Sequence, residues 1–421
     1  MLLDLPKKKN TGDILLLKKL SALPKNFWFI LLGALVAQLI LISVSTLSGD
    51  PMGDVRYTYE AWTKNMAQGN YLLGLKDPWV YPFVAQVPMW LAYLLSFGDY
   101  MTGWLLVTVN LNMLLIAYLL GWGSKLERYK AAWFLIGCIF LVGPVAIGRL
   151  EVFSLALTVL AVIAFLENRD SRSIQFFNLA TWIKVSPMAA LASLLIVLDN
   201  KKKFFINLLI ATAVIVLIGL ALGGDLKNIF SFVGMQSGRG VQVESSIAIL
   251  WLVQILFSIP GSKIYYDDKI LTFQVSGFGV TEIANIMTLV QFGALAITLF
   301  LGYRAKKNGV DRNTLFAWVF LTATLDLLVF NKVGSPQYEL WLVGAAVFGI
   351  LANTLKWRLV AWLTLITSGL SWLIFPIFYG DLLDGKPLGV SLLILRNLGV
   401  IAVLVYGNMQ LVRLGKKEIS A

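Results

Sequence analysis

Long apolar runs separated by short polar joints make up almost the whole chain. The first run covers about residues 27–48, which is long enough for a helix to cross a bilayer core of about 30 Å. Several later runs are shorter than the roughly 20 residues that a perpendicular span needs. A helix is the structure such runs adopt in lipid, because it satisfies its backbone hydrogen bonds internally. We expect an all-α integral membrane protein, a polytopic bundle of about 11 to 13 membrane segments, some of them half-spans or re-entrant segments.

The runs also divide the chain into regions. We expect a basic, cytoplasmic or interfacial segment over residues 1–26, a membrane-embedded domain over 27–414 and a short cytoplasmic tail over 415–421. The runs after the first lie at about residues 82–97, 101–122, 131–148, 152–166, 176–198, 204–222, 247–259, 283–303, 315–330, 340–355, 359–378 and 390–414.

A different pattern fills the polar stretch 53–82. Four apolar residues recur there at the spacing of one helix face: Val55, Tyr59, Trp62 and Met66. Gly69 and Asn70 supply a stop signal, and Asp54 lies at the start. We predict an amphipathic helix on the membrane surface directly after the first span, with a carboxylate at its beginning.

Composition supports a membrane protein. Hydrophobic residues make up 58% of the 421 and charged residues only 14%, whereas a soluble domain has roughly 25% charged residues. The net charge of +12 does not indicate nucleic acid, because the basic residues cluster in the joints between apolar runs. The chain has no histidine and one cysteine, Cys138, so an intrachain disulfide is excluded and any general base is expected to be a carboxylate.

The basic joints set the expected orientation. Under the positive-inside rule, both termini and a set of lysine- and arginine-rich joints are cytoplasmic: 125–130, 169–172, 201–203, 304–312, 356–358 and 413–417. The opposite joints are then external: 49–81, 144–151, 224–246, 331–338 and 379–389. One conflict of parity stays open, since two crossings between Pro82 and Trp122 would place 125–130 outside.

Polar residues concentrate beside the external joints. Ionisable residues at membrane depth are costly, and they mark functional sites by default. If the short runs are half-spans, these residues converge on one cavity near the outer leaflet. They are Asp54, Arg149, Glu151, Lys184, residues 236–240 and residues 331–338.

Five short motifs occur in a fixed order. They are Asp54-Val55-Arg56-Tyr57, Gly69-Asn70-Tyr71, Tyr81-Pro82, Lys184-Val185-Ser186-Pro187 and Ser335-Pro336-Gln337-Tyr338-Glu339-Leu340-Trp341. In this order the chain resembles the GT-C fold glycosyltransferases, and within them the polytopic family that includes the mycobacterial phosphatidylinositol-mannoside mannosyltransferase. The chain departs from that family at residues 148–151, where Gly-Arg-Leu-Glu replaces Gly-Gln-x-Asn.

The resemblance implies a polyprenyl-phosphate sugar donor, with mannose as the expected sugar, and a glycolipid or glycan acceptor. Transfer would take place on the external face of the cell membrane, in cell envelope biosynthesis. Glycosidases need an acid to protonate the leaving group, but a phosphate leaves without one. One carboxylate base and cations for the phosphate are then enough, and a single displacement inverts the anomeric carbon. No cofactor is needed, although a divalent metal between Asp50 and Asp54 is a less favoured alternative.

Each candidate residue has a functional and a structural interpretation. Asp54 is the expected base, or only a helix cap. Lys184 and Lys332 either bind the phosphate or extend to the interface as long cations do. Arg149 and Glu151 either bind sugar hydroxyls or neutralise each other.

The resemblance also places aromatic and amide side chains at the substrate. Tyr57 and Tyr81 could stack on sugar or isoprenoid, or belong to the interfacial aromatic belt. Gln337 and Tyr338 are expected to bind substrate because of their motif. Asp326, inside an apolar run, is expected to pair with a neighbouring helix.

A flippase or transporter of lipid-linked sugars is the alternative function. Such proteins are also polytopic and sparse in charge, but they often show paired halves with interrupted helices in corresponding positions. We find no such symmetry in the sequence.

Overall fold

The computed structural model describes residues 23–46, 49–235, 239–268 and 270–416. The predicted basic segment 1–26 and tail 415–421 therefore lie largely outside the described residues, as do the predicted polar residues 236–238. The structure is 72% helical.

The helices follow the predicted runs closely. Helix α2 consists of a π-helical turn, Asp54–Tyr59, continued by the α-helix Glu60–Ala67. The others are α1 Phe27–Val44, α3 Gln86–Leu94, α4 Tyr100–Leu119, α5 Tyr129–Val142, α6 Glu151–Leu166, α7 Asp170–Thr181, α8 Met188–Val197, α9 Lys201–Ala221, α10 Leu226–Ile229, α11 Ile249–Leu256, α12 Val280–Lys307, α13 Arg312–Val329, α14 Glu339–Leu351, α15 Arg358–Trp372, α16 Tyr379–Leu383 and α17 Pro387–Leu414.

Seven helices of the described residues are long and apolar enough to cross a membrane. They are α1, α4, α9, α12, α13, α15 with its continuation to Ile377, and α17. The prediction of a helical, multi-pass membrane protein is confirmed at this level. The finer count of about 11 to 13 membrane segments stays a prediction, since it depends on how the shorter helices lie in the bilayer.

The basic joints meet at one end of the bundle, which we call the basic end. Side-chain contacts link them in pairs: Arg128 to Glu167, Arg312 to Asp170, Lys306 to Asp199 and Tyr406 to the carbonyl of Lys356. The described chain also starts and finishes at this end. Trp133 donates to the carbonyl of Pro24, and Arg304 donates to that of Gly415.

The joints predicted to be external meet at the opposite end, the polar end. The contacts that join them are Arg149 to the carbonyl of Pro51, Asp225 N–H to the carbonyl of Leu75, Gln242 N–H to the carbonyl of Lys332, and Tyr379 to Glu244. The grouping of the joints into two sets therefore matches the structure, while the membrane side of each end stays a prediction.

The conflict of parity between residues 82 and 130 is resolved by α3. With its preceding 3₁₀ turn, α3 is only about 18 Å long, too short to cross a bilayer core. The hydroxyl of Tyr100, at the start of α4, donates to the carbonyl of Met89 in α3 and lies 3.3 Å from Thr63 Oγ1 in α2. Helix α4 therefore begins at the polar end, so the chain returns to this end after α3, and we expect that the run at 82–97 does not cross.

One expectation was wrong, and one element was not predicted. The run at 176–198 is not one segment, because the chain breaks between α7 and α8. An antiparallel hairpin that the sequence reading missed follows α11, with strand β1 at Lys263–Asp267 and strand β2 at Thr272–Ser276. Its register pairs Lys263 with Ser276 and Asp267 with Thr272. Outside this hairpin, the described chain is organised by helices.

The core lies around α13. Its spanning window is 83% buried, whereas those of α1, α9 and α12 are 22%, 17% and 17% buried. Phe316 of α13 packs against Phe165 of α6 and Phe348 of α14, with ring centroids 4.4 and 4.8 Å apart. Asp326 of α13 accepts a 2.6 Å hydrogen bond from Thr298 of α12, so it has the predicted partner on a neighbouring helix. The outer helices present apolar faces suited to lipid.

Single cysteines introduced in a Cys138→Ala background test this topology. We expect Lys76→Cys and Phe97→Cys to react with an impermeant maleimide from the same side of the membrane, because α3 does not cross. Glu127→Cys, at the basic end, should react only from the other side. All three positions are exposed. Labelling of Phe97→Cys and Glu127→Cys from one common side would contradict the described path of the chain.

Candidate active site

Helix α2 carries the predicted carboxylate at its first residue. The apolar face is buried as expected, with Val55, Tyr59 and Met66 all less than 5% exposed. Asp54 opens the π-helical turn, and its side chain is 38% exposed. π-Helical turns often occur at functional sites. The amphipathic helix is confirmed, and its carboxylate has access to a ligand from outside.

The loop before α6 brings Arg149 to Asp54. Gly148 allows this approach, since a Cβ there would lie 2.7 Å from the sulfur of Met52. Arg149 Nε lies 3.0 Å from Asp54 Oδ2, and one Nη donates to the carbonyl of Pro51 at 3.2 Å. The Nε–H is not aligned with the carboxylate, so the contact is an ion pair without an aligned hydrogen bond. Arg149 therefore holds Asp54 in position, and the guanidinium has N–H groups that this contact does not use.

A second ion pair lies beside the first. Pro187 lacks a backbone N–H and disfavours a helix before it, so the helix breaks between α7 and α8. Lys184 lies in this break, at the polar end. Lys184 Nζ lies 2.8 Å from Glu151 Oε1, at the first residue of α6. Their side chains are only 11% and 1% exposed. The structure thus places Lys184 in a buried ion pair rather than at the interface as a solvated cation.

Two tyrosines enclose the ammonium. Lys184 Nζ lies 4.4 Å from the ring centroid of Tyr81 and 5.8 Å from that of Tyr338. Tyr338 in turn stacks on Trp341 with ring centroids 4.0 Å apart. Burial is the largest single influence and lowers the pKa of Lys184, but Glu151, Tyr81 and Tyr338 together raise that pKa above its ordinary value. Lys184 is therefore a permanent cation with an aromatic wall on each side.

A cleft opens next to the second pair. It contains about 290 Å³ of empty space between α6, α8, α13 and α14. Hydroxyl, carboxylate and aromatic side chains line it, among them Glu151, Ser154, Thr158, Ser186, Thr324 and Trp341. Most of the lining is apolar, with Leu155, Phe320 and Leu340 among it, so the cleft suits a ligand that carries both apolar and hydrogen-bonding groups.

The remaining predicted residues lie elsewhere. Tyr57 is 67% exposed, on the outer face of α2. Lys332 lies in the turn after α13, where its carbonyl accepts from Gln242 N–H at 2.9 Å, and burial lowers the pKa of its ammonium. Gln337 accepts a 2.6 Å hydrogen bond from Ser335. The structure therefore brings six of the predicted residues together: Asp54, Arg149, Glu151, Lys184, Tyr81 and Tyr338.

Arg149 and Glu151 do not form the ion pair that one interpretation expected. Each is paired with another residue of the site, Arg149 with Asp54 and Glu151 with Lys184. The surroundings of Asp50 do not support the alternative of a metal between Asp50 and Asp54. Asp50 is paired with Arg56 at 3.2 Å, and within the described residues no group of three or more His, Cys, Asp or Glu has the arrangement of a metal site.

The sequence reading gave no role to three buried ionisable residues at the same end. Tyr379 Oη donates to Glu244 at 3.0 Å, and Arg396 donates to the backbone carbonyl of Glu244 at 3.0 Å. Glu339 Oε1 lies 3.8 Å from Arg396. The available signal was a charged residue inside an apolar run, as Arg396 is, or directly before one, as Glu339 is.

Taken together, the site offers one partly exposed carboxylate and two buried cations within the same cluster. The Asp54 side chain is partly exposed, so a hydroxyl group of a ligand can reach its carboxylate and transfer a proton to it. Arg149 has five N–H donors and Lys184 has three, and the contact with its carboxylate partner uses only part of them in each pair. The spare donors could hold an anionic group such as a phosphate.

No protein-family model, curated protein or solved structure matches this chain.

Stability measurements distinguish the pair from a surface contact. Lys184→Gln should lower the free energy of unfolding by about 3–5 kcal/mol, because it leaves Glu151 charged and unpaired in the protein interior. The double variant Lys184→Gln/Glu151→Gln should regain most of that loss, because no uncompensated charge remains. Unfolding of the purified protein in detergent, followed by intrinsic fluorescence, measures both.

The matched control is Lys64→Gln, which breaks the exposed pair with Glu60 on α2. Exposed pairs contribute about 0–1 kcal/mol, so this change should have little effect. A double variant that is no more stable than Lys184→Gln alone would show that Glu151 does not depend on Lys184.

Proposed function

We propose that the protein is a membrane glycosyltransferase that moves a sugar from a polyprenyl-phosphate donor to a hydroxyl of a lipid or glycan acceptor. The observation that carries the proposal is the position of Asp54. It is a partly exposed carboxylate held 3.0 Å from Arg149, next to the buried Lys184–Glu151 pair. This combination supplies the base and the cations that such a transfer needs.

Asp54 is the proposed general base. It accepts the proton of the acceptor hydroxyl while the acceptor oxygen attacks the anomeric carbon. The bond from that carbon to the phosphate oxygen breaks, and its electron pair leaves with the phosphate. Because attack and departure occur in one displacement, the configuration at the anomeric carbon inverts. Arg149 serves here as a positioning residue that holds the carboxylate in place.

Lys184 and Arg149 are the proposed cations for the phosphate. Charge on the phosphate grows as the sugar leaves, so a fixed cation stabilises the transition state more than the ground state. At an effective dielectric constant near 20, two charges about 4 Å apart interact by about 4 kcal/mol before desolvation is counted. The rings of Tyr81 and Tyr338, 4.4 and 5.8 Å from the Lys184 ammonium, are the proposed shield of this contact from water.

The GT-C resemblance and the orientation of the chain are part of the same proposal. With the basic end in the cytoplasm, as the positive-inside rule expects, the polar end faces the outside. The site then takes its donor from the outer leaflet of the cell membrane. Mannose is the expected sugar, because the ordered motifs resemble those of a mannosyltransferase family.

Transfer assays with Asp54→Asn test the proposal. Membranes containing the protein are incubated with radiolabelled polyprenyl-phosphate mannose, and labelled lipids and glycans are separated. Asn keeps the shape of Asp but cannot accept the proton, so turnover should fall about 10²–10⁴-fold. Donor binding should change little, because the cations remain.

The control is Asp99→Asn, at the same end of the molecule. Asp99 caps α4 by accepting from Thr102 N–H at 3.1 Å, and Asn caps helices equally well. This variant should keep full turnover. Retention of more than about a third of turnover by Asp54→Asn would exclude it as the base. Absence of transfer by the unchanged protein, with mannose, glucose and arabinose donors alike, would favour a flippase instead.

A further inference from the structure

A second cavity lies at the polar end, and Tyr338 is among the residues that line it. It contains about 190 Å³ of empty space and is lined by Glu244, Ser245, Ser246, Ser335, Tyr338 and Arg396, together with Leu328 and Gly334. The proposed transfer step uses none of these residues except Tyr338. The cavity therefore needs an explanation of its own.

Two of its charged side chains are buried with unused hydrogen-bonding atoms. Glu244 is 8% exposed and Arg396 is 3% exposed. Glu244 Oε1 accepts from Tyr379, but Oε2 has no hydrogen-bond partner among the described residues, and neither does Arg396 Nε. Leaving a charged group unsatisfied in a protein interior costs about 1–3 kcal/mol or more. Glu244 thus has an unused acceptor and Arg396 an unused donor, and both residues line the same cavity.

The surrounding backbone holds this arrangement firmly. Gly334 packs so closely on the neighbouring loop that a Cβ would lie 2.3 Å from Ser245 N. Its own N–H donates to Gln242 Oε1 at 3.1 Å, and Asn397 donates to the carbonyl of Ser245 at 3.2 Å. Glu244 is fixed at both its backbone and its side chain, by Arg396 and Tyr379. The cavity is therefore preformed rather than a gap in loose packing.

The charges favour a neutral ligand. Glu244 faces both Arg396 and Arg149, and Glu339 lies 3.8 Å from Arg396, so the charges around the cavity nearly cancel and favour neither an anion nor a cation. An ionised carboxylate accepts hydrogen bonds, a guanidinium donates them, and serine hydroxyls do both. Adjacent hydroxyl groups on a ring match such a set of partners. The empty space is small, so only one edge of a ring would enter.

We propose that this cavity is a sugar subsite, in which Glu244 Oε2 accepts a hydrogen bond from a ring hydroxyl and Arg396 donates one to a neighbouring oxygen. The identification of the ligand as a sugar rests on the proposed function. Tyr338 borders both this cavity and Lys184, so the subsite lies next to the proposed phosphate site. It would select the sugar or the acceptor by its hydroxyl groups.

Binding of simple methyl glycosides to the purified full-length protein tests the proposal without any transfer step. We expect at least one of the methyl mannosides, glucosides or arabinosides to bind, with Kd on the order of millimolar, in a calorimetric titration. Glu244→Gln should weaken that binding about ten- to a hundredfold, as expected for loss of a hydrogen bond to a charged acceptor. Tyr379→Phe keeps the carboxylate but loosens it, and should weaken binding several-fold.

The pH dependence gives a second readout. Burial raises the pKa of Glu244 to about 7, with Arg396 and the Tyr379 hydrogen bond opposing that rise. The ionised form is the stronger acceptor, so glycoside binding should be tightest above about pH 8 and weaken as the pH falls through 7. The groups that face Glu244 are Arg396, Arg149 and Tyr379, and burial together with the Glu244 carboxylate raises the pKa of Tyr379 well above its ordinary value. Glu244→Gln should abolish the dependence.

Glu60→Gln, a change on the exposed surface of α2, is the matched control and should bind as the unchanged protein does. Asp99→Asn, at the same end of the molecule, should also bind glycosides normally. If glycosides bind through Glu244 but no transfer is detected, the proposed function fails and the subsite stands. If no glycoside binds at up to about 50 mM, or if Glu244→Gln binds unchanged with the same pH profile, the subsite is overturned.

Discussion

The arrangement of the polar end depends on charges that are buried in pairs. Glu151 and Lys184 are almost inaccessible to solvent, and removing two such ions from water costs several kcal/mol each before their attraction is counted. A pair of this kind is a weak source of stability, and apolar residues of similar volume would often do as well. Within a membrane bundle the pair is better explained by function. The second pair, Asp54 and Arg149, extends the same cluster to the surface and leaves one carboxylate partly exposed.

Interruptions in the helices are what bring these charges together. The chain reverses direction between α7 and α8, at the break before Pro187. This reversal places Lys184 beside Glu151, the first residue of α6. Gly148 lets the loop of Arg149 pack against Met52, and Gly334 does the same for the loop beside Glu244. Each irregular segment is covered by other parts of the protein, which is the condition for non-helical backbone at membrane depth. The long helices α1, α9 and α12 surround this assembly and face outward.

The sequence was sufficient for features that depend on local periodicity. The amphipathic face of α2 and the separation of basic from polar joints both follow from spacing and composition. The partners of the charged residues could not be predicted, because Asp54 meets Arg149, and Glu244 meets Arg396, only through tertiary packing. The return of the chain to the polar end after α3 could be recognised only from the length of that helix and from the contact of Tyr100 with Thr63. The β-hairpin did have a local signal, since apolar and polar residues alternate through Phe273 and Val275, but short strands are easily overlooked in an apolar chain.

The central claim is that the buried cations of the polar end receive a phosphate. The most direct measurement compares binding of a short polyprenyl phosphate with that of the corresponding uncharged polyprenol, using the purified full-length protein. The account predicts that the phosphate binds at least about tenfold more tightly than the alcohol, and that this preference largely disappears in Lys184→Gln/Glu151→Gln. Equal affinity for the two lipids, or an undiminished preference in the double variant, would contradict it.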